Sequence, residues 1–206
     1  MAEKKILVIG ASGKTGSRIL QRLTRLGVPV HGATRSSNPK FDWNDSTTWE
    51  PALQNVSAVY ISFYPDLAMP GAVKAITQLT EMALKNGVQK LVLLTSRGEE
   101  EAQLCEQVVM NAGLDWTIVR ASWFCQNFSE GSFLEAVQAG HVALPAGDVG
   151  EPFIDADDIA DVAVSALTKE GHSRKLYEVT GPRLLTFKEA VNEIAEATGR
   201  PITFEQ

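Results

Sequence analysis

Along the chain, short runs of Val, Ile and Leu alternate with longer segments in which apolar residues recur every third or fourth position. The runs predict strands over Lys5 to Ile9, Val28 to Ala33, Ala58 to Ser62, Lys90 to Thr95 and Asp115 to Arg120. The periodic segments predict helices over Lys14 to Arg25, Pro70 to Asn86 and Glu100 to Ala112, with a shorter one around Thr47 to Gln54. Continuous apolar strands such as Leu91-Val92-Leu93-Leu94 want burial on both faces, so helices should cover both sides of the sheet. The alternation implies parallel strands joined by crossover helices, a doubly wound α/β fold.

After Arg120 the pattern changes, and Gly and Pro punctuate Leu144 to Asp148 and Gly181-Pro182. Asp155-Ala-Asp-Asp158 predicts a helix start running to about Leu167, and Thr186-Phe-Lys-Glu189 is a capping box for a helix ending near Thr198-Gly199. The expected organisation is a nucleotide-binding core over 1–120, with 121–206 holding the remaining sheet elements and a small appendage leaning on the strand ends, all one structural unit.

Composition narrows the function classes. With 206 residues, 44% hydrophobic and 21% charged, the chain suits one globular domain with a sizeable core. The net charge of -6 gives no reason to expect a nucleic-acid surface. The apolar run Ile6 to Ile9 is far too short for a membrane span or signal core, so the expected setting is cytoplasmic. Cys105 and Cys125 lack metal-ligand spacing, and His31, His141 and His172 lie far apart, so no metal site is expected. Asp155, Asp157 and Asp158 are better explained by helix capping than by a metal, and Glu99-Glu100-Glu101 reads as a solvated first helical turn.

The sharpest motif is GASGKTG at Gly10 to Gly16. Its Gly-Lys-Thr resembles the end of a triphosphate-binding loop, but that loop needs glycine at position 8, where Val stands inside the strand. The spacing Gly10, Gly13, Gly16 between a buried strand and an amphipathic helix fits a dinucleotide fingerprint: a tight turn, close backbone approach to a pyrophosphate, and close helix–strand packing. The helix N-terminus then faces the anion. An NAD-preferring site usually carries an acid at the end of the second strand, about 20 residues past the glycines. Here that strand ends in Thr34-Arg35-Ser36-Ser37, and an arginine suits a 2′-phosphate. NADP(H) is therefore the expected cofactor, with Lys14 as a second positive charge near the same phosphate.

GASGKTG, TRSSNP, Phe41-Asp42-Trp43, QKLVLLTS at Gln89 to Ser96, WFCQNFSEG at Trp123 to Gly131, PFIDADDIADVA at Pro152 to Ala163 and LLTFKEA at Leu184 to Ala190 together resemble the NmrA-like family of atypical short-chain dehydrogenases, in particular its ergot-alkaloid (clavine) reductase branch and bacterial relatives. The resemblance spans nearly the whole chain and implies a Rossmann-type sheet with NADP(H) across the strand ends. It implies that Gly10, Ser12, Gly13, Lys14, Thr15 and Gly16 cradle the pyrophosphate, that Arg35 and Ser36 hold the adenosine end, and that Asp42 and Trp43 flank the adenine. Ser62, Phe63 and Tyr64, with Thr95 and Ser96, would lie along the ribose and nicotinamide, and Trp123, Phe124 and Asn127 would border the substrate pocket. Longer members continue past Gly199 to Gln206, which reads here as the beginning of a strand.

The usual Tyr-x-x-x-Lys acid/base pair is absent, since Tyr60, Tyr64 and Tyr177 are followed four residues on by Tyr64, Ala68 and Gly181. Ser96 and Glu106 remain as catalytic candidates; many family members place Lys or His three residues before the equivalent of Glu106, where this chain has Gln103. Acceptors that are already cationic or strongly electrophilic, such as an iminium or a quinone, do not need an alkoxide protonated, and the cofactor carries the hydride chemistry. The leading expectation is an NADPH-dependent oxidoreductase of small organic acceptors; the alternative is a non-catalytic NADP(H) sensor acting through a protein partner.

Overall fold

The structure, a computed structural model, describes residues 4–206. β1 (Lys5–Ile9) and α1 (Lys14–Arg25) keep the expected boundaries. β2 (Val30–Ala33) starts later than the pattern predicts, because Pro29 has no N–H for the ladder; its carbonyl instead accepts from the Ile6 N–H at 2.8 Å. The helix expected over Thr47 to Gln54 is a 3₁₀ turn, Ser46–Thr48, leading into the one-turn α2 (Trp49–Ala52). Asp45 caps that turn through the Thr47 N–H, and Asn55, at φ 59°, blocks any extension.

Next come β3 (Val56–Ile61), α3 (Ala72–Lys85), β4 (Lys90–Ser96), α4 (Glu100–Met110) and β5 (Asp115–Ala121), followed by α5 (Leu134–Ala139), β6 (His141–Ala143), β7 (Gly150–Glu151), α6 (Ala156–Thr168), β8 (Lys175–Val179), β9 (Leu185–Thr186), α7 (Phe187–Thr198) and β10 (Thr203–Glu205).

The main sheet has the order β2-β1-β3-β4-β5-β8, and the pairings among β1 to β5 are all parallel. The chain runs outward from β1 to β2, then returns to the other side of β1 for β3. The order therefore reverses between β1 and β3, the place where doubly wound sheets bind ligands outside their carboxyl ends.

Two compact units divide the chain: residues up to Ala121 with Asp157–Glu178, and Ser122–Ala156 with Val179–Gln206. In the first, Leu7, Ile9, Val59, Ile61, Leu91 and Leu93 pack in one core with Trp49, Ile76 and Leu79. The alternating residues Ile6, Val8, Tyr60 and Val92 are equally buried, so both faces of the sheet are covered. Burying each such Leu or Ile side chain contributes roughly 1.5–3 kcal/mol. On α6, Asp157 is more than a capping residue: its carboxylate pairs with Arg18 at 3.0 Å and Arg22 at 2.8 Å, and Asp161 pairs with Arg22 at 2.6 Å, which ties α6 to α1.

In the second unit, β6 pairs β10 in parallel and β7 pairs β9 antiparallel. Gly199 to Gln206 thus does enter a strand. Phe128, Phe153 and Phe187 form the centre of its core with Val142 and Val191. The capping box at Thr186 and Glu189 is formed reciprocally.

Candidate functional site

The glycine loop sits at the carboxyl end of β1, at the point where strand order reverses. Gly10 adopts φ 77°, which favours glycine, and a Cβ there would lie 3.3 Å from the Cβ of Ser62 at the end of β3. Gly16 is held still more tightly: a Cβ would fall 2.2 Å from the Gly10 carbonyl oxygen, so only glycine lets α1 pack this close to the turn. Gly13 caps α1 without a side chain, leaving the first amides of the helix to meet an anion. This cradle fits a dinucleotide pyrophosphate.

Ser12 is exposed and Lys14 half-buried at the loop rim. Thr15 is 3% exposed and its hydroxyl turns inward to accept from the Tyr60 hydroxyl at 2.8 Å. Its side chain is therefore committed to the interior, and only its backbone remains for a phosphate. Desolvation pushes the Tyr60 phenol well above its ordinary range, so Tyr60 stays protonated and acts as a strut.

Beyond β2, Arg35 and Ser36 are exposed, and Arg35 pairs with no carboxylate among the described residues. Asp42 and Trp43 lie on a turn where the Trp49 indole donates to the Asp42 carbonyl at 2.7 Å and the Trp43 indole donates to the Ser62 carbonyl at 3.2 Å. Trp43 also meets Phe63 at a ring separation of 4.7 Å, so the loop after β3 is tied to the expected adenine region. Tyr64 is exposed.

At the end of β4 the two expected neighbours separate. Thr95 is buried and donates to Glu106 at 2.7 Å; Ser96, half-buried, ends the strand. Glu106 is 1% exposed, and its oxygens accept from Arg120 at 3.0 and 2.5 Å. Arg120 also reaches Glu178 at 2.9 Å. The hydrogen bond to Glu106, more than any other influence, holds the Arg120 guanidinium above its already high ordinary range. Glu106 and Thr95 are thus bound into an internal ion-pair network rather than presented to a reacting group. Glu99 departs from its expected place on a solvated turn: its Oε2 is buried without a hydrogen-bond partner. Burial, above all, raises its carboxyl above its ordinary value, aided by Asp66 and Glu101 and opposed by the Ser96 hydroxyl.

The sequence profile described as NAD(P)H-binding matches residues 10–170. The chain belongs to that NAD(P)H-binding family. Agroclavine dehydrogenase of Claviceps fusiformis is 31% identical to it over 96% of this chain and 74% of its own length. Prestalk A differentiation protein A of Dictyostelium discoideum is 28% identical over 97% of this chain and 71% of its own. Among solved structures, an NADPH-dependent quinone oxidoreductase from Escherichia coli shares the fold, with a TM-score of 0.80 at 20% identity over 98% of this chain and 78% of that one. The clavine-reductase resemblance drawn from the motifs holds, and so does the oxidoreductase class.

In this NAD(P)H-binding protein the aromatic residues expected near a substrate lie in the second unit. Trp123 is 41% exposed, stacked on Phe133 and set edge-on to Phe187. Phe124 bridges to Ile154, and the Asn127 carbonyl accepts from the Phe133 N–H at 3.1 Å. None of the three lines a cavity of about 380 Å³ in this unit, whose walls include Phe128, Phe153, Leu185 and Ile194, with Arg183 and Glu193 also bordering it. Sequence patterns did not mark this cavity, because its walls come from residues spread over 125–197. No metal-binding cluster of His, Cys, Asp and Glu occurs among the described residues, and none of their helices is long and apolar enough to cross a membrane.

Proposed function

We propose that the protein is an NADPH-dependent oxidoreductase that passes hydride to a small electrophilic acceptor, an iminium, a quinone or a related compound, in a cytoplasmic setting. The observation that carries the choice of NADPH is Arg35, exposed and without an acidic partner among the described residues, where an NAD site usually offers a carboxylate. A guanidinium there meets a 2′-phosphate through charge-assisted hydrogen bonds. Ser36 adds a donor, and Lys14 at the rim of the glycine loop adds a second cation. Asp42 and Trp43 would flank the adenine, and the backbone of Gly10 to Gly16 would hold the pyrophosphate. Ser62, Phe63, Tyr64 and Ser96 would border the ribose and nicotinamide. Trp123, Phe124 and Asn127 are assigned to acceptor binding on the family resemblance.

The bound nicotinamide supplies the hydride; the chain's share is to hold donor and acceptor at attack distance, which converts an encounter into a unimolecular step. The missing Tyr-x-x-x-Lys pair favours acceptors whose reduction creates no alkoxide. The test is loss of NADPH absorbance with a panel of quinones and iminium compounds. Turnover with at least one of them is expected. Tight NADPH binding with no turnover at all would instead support a redox-sensing role exercised through a protein partner.

A further inference from the structure

Tyr60 is fully buried on β3, paired with Val8 of β1 on one side and Val92 of β4 on the other. A phenylalanine would fill the same space without taking a hydroxyl out of water, a transfer that costs free energy unless a hydrogen bond offsets it. The phenol donates to the Thr15 hydroxyl at 2.8 Å, and this bond joins the middle of the sheet to the first turn of α1, of which Thr15 is the second residue. Ser17 is the first residue of that helix whose N–H reaches a backbone carbonyl, that of Gly13 at 3.0 Å; the amides of Lys14, Thr15 and Gly16 donate to none. Three unsatisfied donors at a helix start suit an anion, and Thr15 supplies the middle one. Its side chain is held from the interior by a residue that cannot shift without disturbing three strands.

We propose that Tyr60 is a positioning residue for the cofactor: its hydroxyl, through Thr15, fixes the first turn of α1 so that the amides of Lys14, Thr15 and Gly16 are aimed at the pyrophosphate site before the nucleotide arrives. The inference rests on the reading of Gly10 to Gly16 as the pyrophosphate cradle. A loop already ordered in its bound shape loses less freedom on binding and so binds more tightly. Being wholly buried, Tyr60 does this without touching the nucleotide. The pyrophosphate is common to NADPH and NADH, so Tyr60 serves both alike, whereas Arg35 would distinguish them.

The experiment measures NADPH and NADH dissociation constants by fluorescence titration, and urea midpoints, for the wild type, Tyr60→Phe, Thr15→Val and the double variant, with Thr15→Ser as the conservative control. Tyr60→Phe should weaken both nucleotides by the same factor, about three- to ten-fold, the scale of one neutral hydrogen bond. Thr15→Val should give the same loss, and it reads the bond from the helix side should Tyr60→Phe fail to fold. The double variant should lose no more than either single one, because both changes remove one bond. Thr15→Ser keeps the acceptor and should bind like the wild type. A hydroxyl that serves the fold alone would lower the urea midpoint and leave the affinity of the folded protein where it was. Unchanged dissociation constants in the single variants, or losses that add in the double one, would overturn the positioning role while leaving the cofactor reading intact. A wild type that binds neither nucleotide overturns both.

Discussion

The proposed preference for NADPH turns on a single side chain. Arg35 carries a positive charge into the position where an NAD site offers a carboxylate, and nothing in its surroundings among the described residues neutralises it. A hydrogen bond to a charged group contributes about 1.5–3 kcal/mol, or roughly ten- to a hundred-fold in affinity. Arg35→Asp should therefore weaken NADPH binding by about two orders of magnitude and NADH binding by only a few-fold, read from fluorescence titrations of both nucleotides. Equal losses would sink the phosphate assignment. The neighbouring positions show why residue type alone does not settle a role. Thr15 and Thr95 stand in the two motifs that resemble a nucleotide site, yet both hydroxyls point inward, to Tyr60 and Glu106. Sequence reports which side chains a loop holds; the partner that claims each one can come from 45 residues away, as Tyr60 does for Thr15.

Among the elements, β4, α4 and β5 are locked by one buried polar knot. Glu106 on α4 accepts from Thr95 on β4 and from Arg120 on β5. Removing one partner of a buried pair leaves the other charge uncompensated. Glu106→Gln should cost about 3 kcal/mol, seen as a lower urea midpoint with an unchanged slope. A loss of less than about 1 kcal/mol would mean the pair is worth no more than a surface contact. The elements themselves were unevenly legible. β1, α1 and the Thr186 capping box could be read from the chain because strong periodicity, glycines and caps coincide there. β8 could not: Lys175–Val179 has no fully buried residue and is interrupted by Lys175 and Glu178, so it lacks the continuous apolar run that marks the inner strands. The partners of Glu106 and the partial burial of Glu99 were illegible for a related reason. Helical periodicity gives the face a residue occupies, but the ion pair that claims Glu106 and the burial that isolates Glu99 depend on which strands and loops lie opposite.

At the scale of the folded molecule, acid stability should depend on the ion pairs between α1 and α6. Hydrogen bonds from Arg22 and then Arg18 hold the Asp157 carboxyl below its ordinary range. A carboxyl depressed in the folded state contributes stability that is fully present above its unfolded value, about 3.9, and is lost as pH falls through the lower folded value. Glu99 runs the other way: its folded value is raised, so it works against the folded state near neutrality and this cost disappears on acidification. An absolute pH–stability curve would mix these opposite signs. The difference between the wild type and Asp157→Asn isolates one of them, since Glu99 is the same in both. That difference should be about 1 kcal/mol at neutral pH, kept small because Asp157 is 49% exposed and solvent screens the pair. It should shrink in molar salt and vanish as pH falls through the lowered folded value, where the wild-type carboxyl is itself protonated. Urea midpoints of the two proteins at a series of pH values test this, and a difference that persists undiminished in acid would show that Asp157 stabilises the fold by packing rather than by charge.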